Sequence, residues 1–174
     1  MNRYQKIFPH LTLFSDLNWE EVTQEYESEY IDVTFPDYLQ KKFLDGDCPS
    51  YLFEVAYFEL ALHDVQHSTR LFPFKAGIYL NPTALFLSLE FDVRKMIEQA
   101  TQGHVEIIER SHVLCIFKNK EDKICINELS KKELVLLTEL EHGAKESMDF
   151  IDQEQKKLFD KLVKDCLILD LTLV

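Results

Sequence analysis

Residues 49–68 read PSYLFEVAYFELALHDVQHS, a stretch in which nearly every third or fourth position is apolar and no Gly or second Pro intervenes. The pattern predicts a central helix. Leu52, Val55, Ala56, Glu59, Leu62 and His63 share one stripe at a period of 3.6 residues, and Phe53, Tyr57, Phe58, Leu60 and Ala61 make the flanks apolar too. A helix with so little polar circumference needs neighbours on most of its sides, so the rest of the chain has to be arranged around it. Pro49 and a capping Ser50 mark its start, and LFPFKAG at 71–77 marks where it has stopped.

Three amphipathic segments come before it. Tyr4, Ile7, Phe8, Leu11 and Phe14 are helically spaced, so 3–14 is expected to be a helix that Pro9 either opens or kinks. Asn18 caps a second helix with Glu20 and Glu21 in its first turn and Trp19, Val22, Tyr26 and Tyr30 along one side. Thr34 opens a third, with Tyr38, Leu39 and Phe43 inward and the DGDCP turn after it. Packed on the central helix, these make a small bundle.

Beyond residue 82 the period changes. TALFLSLEF at 83–91 alternates Leu85, Leu87 and Leu89 as a strand does, a short helix follows around 93–100, and Gly103 ends it. HVLCIFK and KICINEL flank NKED, a hairpin turning at 119–122, and the expected register sets Cys115 opposite Cys125. Ser130 and Glu133 match a capping box that opens a helix with Leu134, Leu137 and Leu140 inward and Gly143 at its end. Asp152 caps a last helix carrying Leu158, Phe159, Leu162, Val163 and Cys166, and LILDLTLV reads as a strand with Leu167, Leu169, Leu171 and Leu173 on one face. The expected class is α+β: a helical bundle over 1–70, an irregular hinge over 71–82, and a winged-helix-like α/β domain over 83–174.

Charge limits the partners. The net charge is −12, and the first 70 residues hold 13 Asp and Glu against 5 Lys and Arg, a net of −8. Such a chain repels phosphate, and its 19 basic residues include only Arg3, Arg70, Arg94 and Arg110 as arginines, so nucleic acid is not expected. MNRYQKIFPH has no apolar export signal and no apolar run reaches membrane length, which predicts a cytoplasmic protein without membrane contact. Cys48, Cys115, Cys125 and Cys166 have neither CxxC nor His spacing, as expected of reduced thiols. Cys115 and Cys125 are either two small hydrophobes in a core or a redox pair.

Catalytic patterns are missing. With Gly only at 46, 77, 103 and 143, the chain holds no phosphate loop, dinucleotide fingerprint or nucleophile elbow. Glu59, His63 and His67 imitate a loosened zinc-protease motif, yet Asp64 is a methylene short of its general base and no third ligand follows, so no metal is expected. Glu59, a carboxylate within FELAL, is either a structural anchor or part of a contact surface. The acids of EEVTQEYESEY lie on a solvated face rather than in a catalytic pair.

FPDYL, PSYLFEVAYFELAL, LNPTALFLSLEFDV, VLCIFKN, LSKKELVLLTELEHG and LFDKLVKDCLIL resemble successive blocks of a bacterial family labelled "putative DNA-binding domain", which includes the partner subunit of methanobactin-type peptide-modifying complexes. The most specific block is Pro49, Tyr51, Leu52, Glu54, Ala56 and Glu59; the next is Leu80, Asn81, Pro82 and Phe86. The chain departs from that pattern in lacking a leading helix and in carrying Asp92 where the family commonly has Pro. The resemblance implies a bundle joined to a winged-helix-like domain, cooperating with a TIM-barrel multi-iron enzyme and a cysteine-containing precursor peptide, the iron belonging to the partner. The expected role is non-catalytic, without a cofactor of its own; DNA binding, as the label says, is the alternative. An exposed strand edge suits a peptide, which points to Lys123, Ile124, Cys125, Ile126, Asn127 and Glu128 beside the helix from Asp152 to Cys166. Trp19, Tyr26 and Tyr30, with Glu59, are the candidate contacts for the larger partner.

Overall fold

A computed structural model describes residues 3–14, 18–30, 32–71, 73, 75–140, 145 and 147–172. The chain is mixed α+β with two small antiparallel sheets. It divides into two compact units that interleave along the sequence: Met1–His63 with Leu87–His112, and Asp64–Phe86 with Val113–Val174.

The first unit begins with α1 (Arg3–Ile7) and a 3₁₀ turn at Leu11–Leu13, not the continuous helix expected over 3–14. Pro9 lies in the turn between them, where its missing N–H breaks no helical ladder. α2 (Trp19–Glu29) is capped by Asn18, whose Oδ1 accepts from the Glu21 N–H, and α3 (Phe35–Leu44) by Thr34. Phe8, Tyr26, Phe35 and Tyr38 are all buried, and Phe35 stands 5.1 Å from Phe8 and 5.1 Å from Tyr26 between ring centroids. Phe43, expected inward, is 39% exposed and stacks on Phe53 instead.

α4 (Ser50–His67) is the central helix, starting at Ser50 itself. Leu52, Val55 and Ala56 have no solvent exposure, and Glu54, Phe58, Glu59, Ala61 and Val65 are buried beside them. Truncating Leu52 to Ala would cost about 2–5 kcal/mol at such a site. β2 (Leu85–Phe91) feeds α5 (Val93–Thr101), which Asp92 caps through a hydrogen bond from the Lys95 N–H. Asp92 also accepts from Arg110 at 3.3 Å, so it both caps α5 and holds a cation. Gly103, at φ +81°, closes the helix in the left-handed region.

In the second unit, β1 (Ile78–Leu80) occupies the segment expected to be irregular hinge and pairs antiparallel with β5 (Ile168–Asp170). The reason is the apolar run after Gly77, which finds a partner strand from the far end of the chain. β3 (Glu109–Lys118) and β4 (Ile124–Leu129) form the expected hairpin, in a sheet of order β2-β3-β4. Its register differs from the expected one: Cys115 faces Asn127, and Cys125 faces Phe117. The loop is Asn119–Lys123, closed by the Asp122 N–H to Asn119 O and the Asn119 N–H to Lys123 O, with Asp122 left-handed at φ 61°. Asn119 and Lys123 are the last paired residues, so the axis of pairing passes through Glu121 and the partner of Cys115 lies two positions beyond Cys125; the two cysteines are diagonal neighbours on one face.

α6 (Lys131–Thr138) opens with a complete capping box: Ser130 Oγ accepts from the Glu133 N–H, and Glu133 Oε2 accepts from the Ser130 N–H. Gly143, its expected stop, lies outside the described residues. α7 (Gln153–Lys164) is capped by Asp152 at its start and by Asp165 at its end, and Cys166, just past the cap, is left-handed at φ 64°. Leu167, Ile168 and Leu169 are all buried, so the alternation expected of the closing strand is lost in a segment covered on both faces; Leu173 is outside the described residues. Cys115, Phe117, Leu136, Leu137, Leu140, Phe159 and Leu162 make the centre of this unit's core.

Candidate functional site

β4 is the terminal strand of its sheet. The Asn119 N–H to Lys123 O bond at 2.9 Å makes that pair a hydrogen-bonded one, and alternation along an antiparallel ladder then turns the N–H and C=O groups of Cys125 and Asn127 toward β3. Those of Ile124 and Ile126 point to the outer side. Ile124 is 37% exposed, Cys125, Ile126 and Asn127 are half-buried, and Glu128 is exposed. Lys123 belongs to the loop rather than to the strand: its N–H donates to Asn119 Oδ1 and its Nζ pairs with Glu121 at 2.6 Å. The edge available to an extended chain therefore starts at Ile124.

Burial, followed by the neighbouring Cys166, pushes the Cys125 thiol up, and burial alone pushes Cys115 up to about 12. All four cysteines are free thiols, and neither member of the hairpin pair has the depressed pKa of a reactive one.

The four residues expected to meet a larger partner lie in different surroundings. Tyr26 is buried, and its hydroxyl donates to Val33 O at 2.6 Å, so it belongs to the aromatic core. Tyr30 is half-buried, with Lys41 Nζ 4.5 Å above its ring. Trp19 is half-buried at the start of α2. Glu59 is 3% exposed, and its Oε1 accepts from both the N–H and the Nδ1 of His10, at 2.9 and 2.8 Å. Burial raises its pKa and the His10 bonds oppose that rise. Glu59 thus anchors the turn after α1. Among the described residues, no group of three or more His, Cys, Asp or Glu side chains is arranged to hold a metal ion.

Two polar centres were not legible in the pattern. Glu54, 5% exposed, accepts from the backbone N–H groups of Glu90 and Phe91 at 3.0 Å. Asn81, 1% exposed, donates from Nδ2 to Lys118 O at 2.8 Å and Cys166 O at 2.9 Å, while its Oδ1 accepts from the N–H and Oγ1 of Thr83. Thr83 Oγ1 in turn accepts from the Lys118 N–H at 2.8 Å. The signal for both was an isolated polar residue within an apolar block, the same signal that singled out Glu59.

No protein-family model matches this chain, and no curated protein matches it. Among the described residues, no helix is long and apolar enough to cross a membrane.

Proposed function

We propose that the chain is a non-catalytic partner protein of the "putative DNA-binding domain" family, with an N-terminal helical bundle and a winged-helix-like C-terminal part. It binds a TIM-barrel multi-iron enzyme in the cytoplasm and presents a cysteine-containing precursor peptide to it. The observation that supports this best is the terminal position of β4, with the backbone groups of Ile124 and Ile126 turned outward and half-buried side chains along its length. An extended peptide adds to such an edge through main-chain hydrogen bonds, and alternate side chains set its register. Binding of this kind needs no nucleophile, base or cofactor.

The charge distribution favours a peptide over DNA. Lys161 is held by Glu133 at 2.7 Å and Lys132 by Glu154 at 2.7 Å, which takes two cations of α6 and α7 away from phosphate.

Co-expression with an iron-binding TIM-barrel protein encoded beside it tests the reading. The two are expected to co-purify and to retain the precursor peptide. Ile126→Pro removes one outward N–H and none of the bonds to β3, so it should weaken peptide capture and leave the association with the barrel intact. Absence of any associated barrel, or undiminished peptide capture by the proline variant, would refute it.

A further inference from the structure

The first unit holds a pocket of about 340 Å³ between α1, the 3₁₀ turn and the first turn of α2. Its floor is the buried rings of Phe8 and Phe35 with Leu11; its walls are the half-buried Tyr4 and Trp19; Glu20 and Thr23 line it from α2. Tyr4 stands 5.5 Å and Phe8 5.1 Å from Phe35 between ring centroids, so three rings pack together at the pocket, and Trp19 lines it from α2. Among the described residues that line the pocket, Glu20 is the only charged one.

We propose that this pocket receives a lysine or arginine side chain of a protein partner, with the cation held between the aromatic walls and the Glu20 carboxylate. The inference rests on the reading that this part of the chain faces a larger protein, and it reverses the expected polarity: Trp19 is the wall of a receptor rather than an anchor that inserts elsewhere. Three observations support a cation. Ring faces attract positive charge, most strongly when an occupant has been desolvated by an enclosing site. The first 70 residues carry a net charge of −8, which draws cations toward this part of the chain. The positive end of the α2 dipole, about half a charge, is exceeded by Glu20 and Glu21 in the first turn.

The remaining polar groups fit a peptide-borne cation better than a free ion. Thr23 Oγ1 spends its hydrogen on Trp19 O and Glu20 O, at 2.8 and 3.0 Å, and keeps lone pairs for an ammonium or guanidinium donor. Trp19 Nε1–H is buried and finds no acceptor among the described residues, so a peptide carbonyl would reach it only once binding has turned the indole ring.

Trp19 is the only tryptophan, so its fluorescence reports on the site directly. The full chain is titrated with the capped tripeptides Gly-Lys-Gly and Gly-Arg-Gly and with the neutral isostere Gly-norleucine-Gly. A saturable emission change is expected with lysine or arginine, with affinity for norleucine about tenfold lower, in the range of a partly desolvated cation–π contact. Glu20→Gln should weaken the cationic peptides at least ~3-fold and leave norleucine unchanged, because Glu20 is exposed and contributes no side-chain bond to the fold among the described residues. Absence of a saturable change at tens of millimolar, equal affinity for norleucine, or an unaltered Glu20→Gln titration would each overturn the proposal. These readouts need no barrel protein, so they fail or succeed separately from the co-purification.

Discussion

Glu54 Oε2 accepts a hydrogen bond from the Phe91 N–H at 3.0 Å, tying the first turns of α4 to the last residue of β2. The same carboxylate takes the Glu90 N–H on both oxygens. A buried acceptor used this fully should resist even a conservative change. Glu54→Gln keeps the volume but sets an NH₂ group against backbone N–H donors, and it should cost about 1–3 kcal/mol in urea unfolding.

The pH dependence of that variant carries a sign. Burial raises the Glu54 pKa above its ordinary 4.5, with the backbone bonds opposing. A raised folded-state value means that its protonation contributes stability in full below pH 4.5, and that this contribution is lost as pH rises through the folded pKa. Unfolding curves between pH 4 and 7 should therefore show a decline in the parent that Glu54→Gln lacks.

Glu133 runs the other way. Burial opposes its ionisation, but the hydrogen bonds from Lys161 and Ser130 prevail and hold its carboxyl below the usual 4.5. Its contribution is present above pH 4.5 and lost as pH falls through the folded value. Glu133→Ala removes half of the capping box and should cost about 1–2 kcal/mol at pH 7, with the difference from the parent shrinking under acid; a difference independent of pH would contradict the assignment.

Asn81 offers a test of pattern against volume. Its two donors reach two carbonyls while its oxygen serves Thr83, so Asn81→Asp, nearly isosteric, turns acceptors toward acceptors. We expect Asn81→Ala to lose about 2–4 kcal/mol, as for a broken buried network, and Asn81→Asp to lose at least as much. An aspartate variant as stable as the parent would show that shape alone is read at this position.

The cysteines should separate by burial. Cys48 and Cys115 are 7% and 0% exposed, whereas Cys125 and Cys166 are half-buried. Alkylation followed by mass spectrometry should label the second pair first and the first pair roughly 100-fold more slowly, since labelling of the buried thiols waits on opening of the core. No peptide linking Cys115 to Cys125 should appear under non-reducing conditions.

Much of the local structure was legible because local structure has local causes. Asn18, Thr34, Ser130 and Asp152 each cap the helix that their position announces, since a side-chain oxygen three residues before an orphan N–H needs no distant partner. The hairpin from 109 to 129 follows from strand formers around a polar loop. Its register did not follow, because a left-handed Asp122 carries no mark in the sequence that sets the axis of pairing at Glu121.

The sequence by itself determined the α+β class, the caps, the hairpin and the burial of the first turns of α4, because these depend on spacing and on the chemistry of near neighbours. Only the tertiary structure decided which carboxylate met which donor. Glu59 faces His10 across 49 positions, Glu54 faces Phe91 across 37, and Asn81 bridges to Cys166 across 85. It also decided that Ile78–Leu80 is a strand, whose partner lies at the far end of the chain, and that Tyr26 belongs to the core while Trp19 walls a pocket. The physical reason is common to all: a buried polar group or short strand is stable only when a partner arrives from elsewhere, and helical or strand periodicity records that burial occurs without recording what arrives.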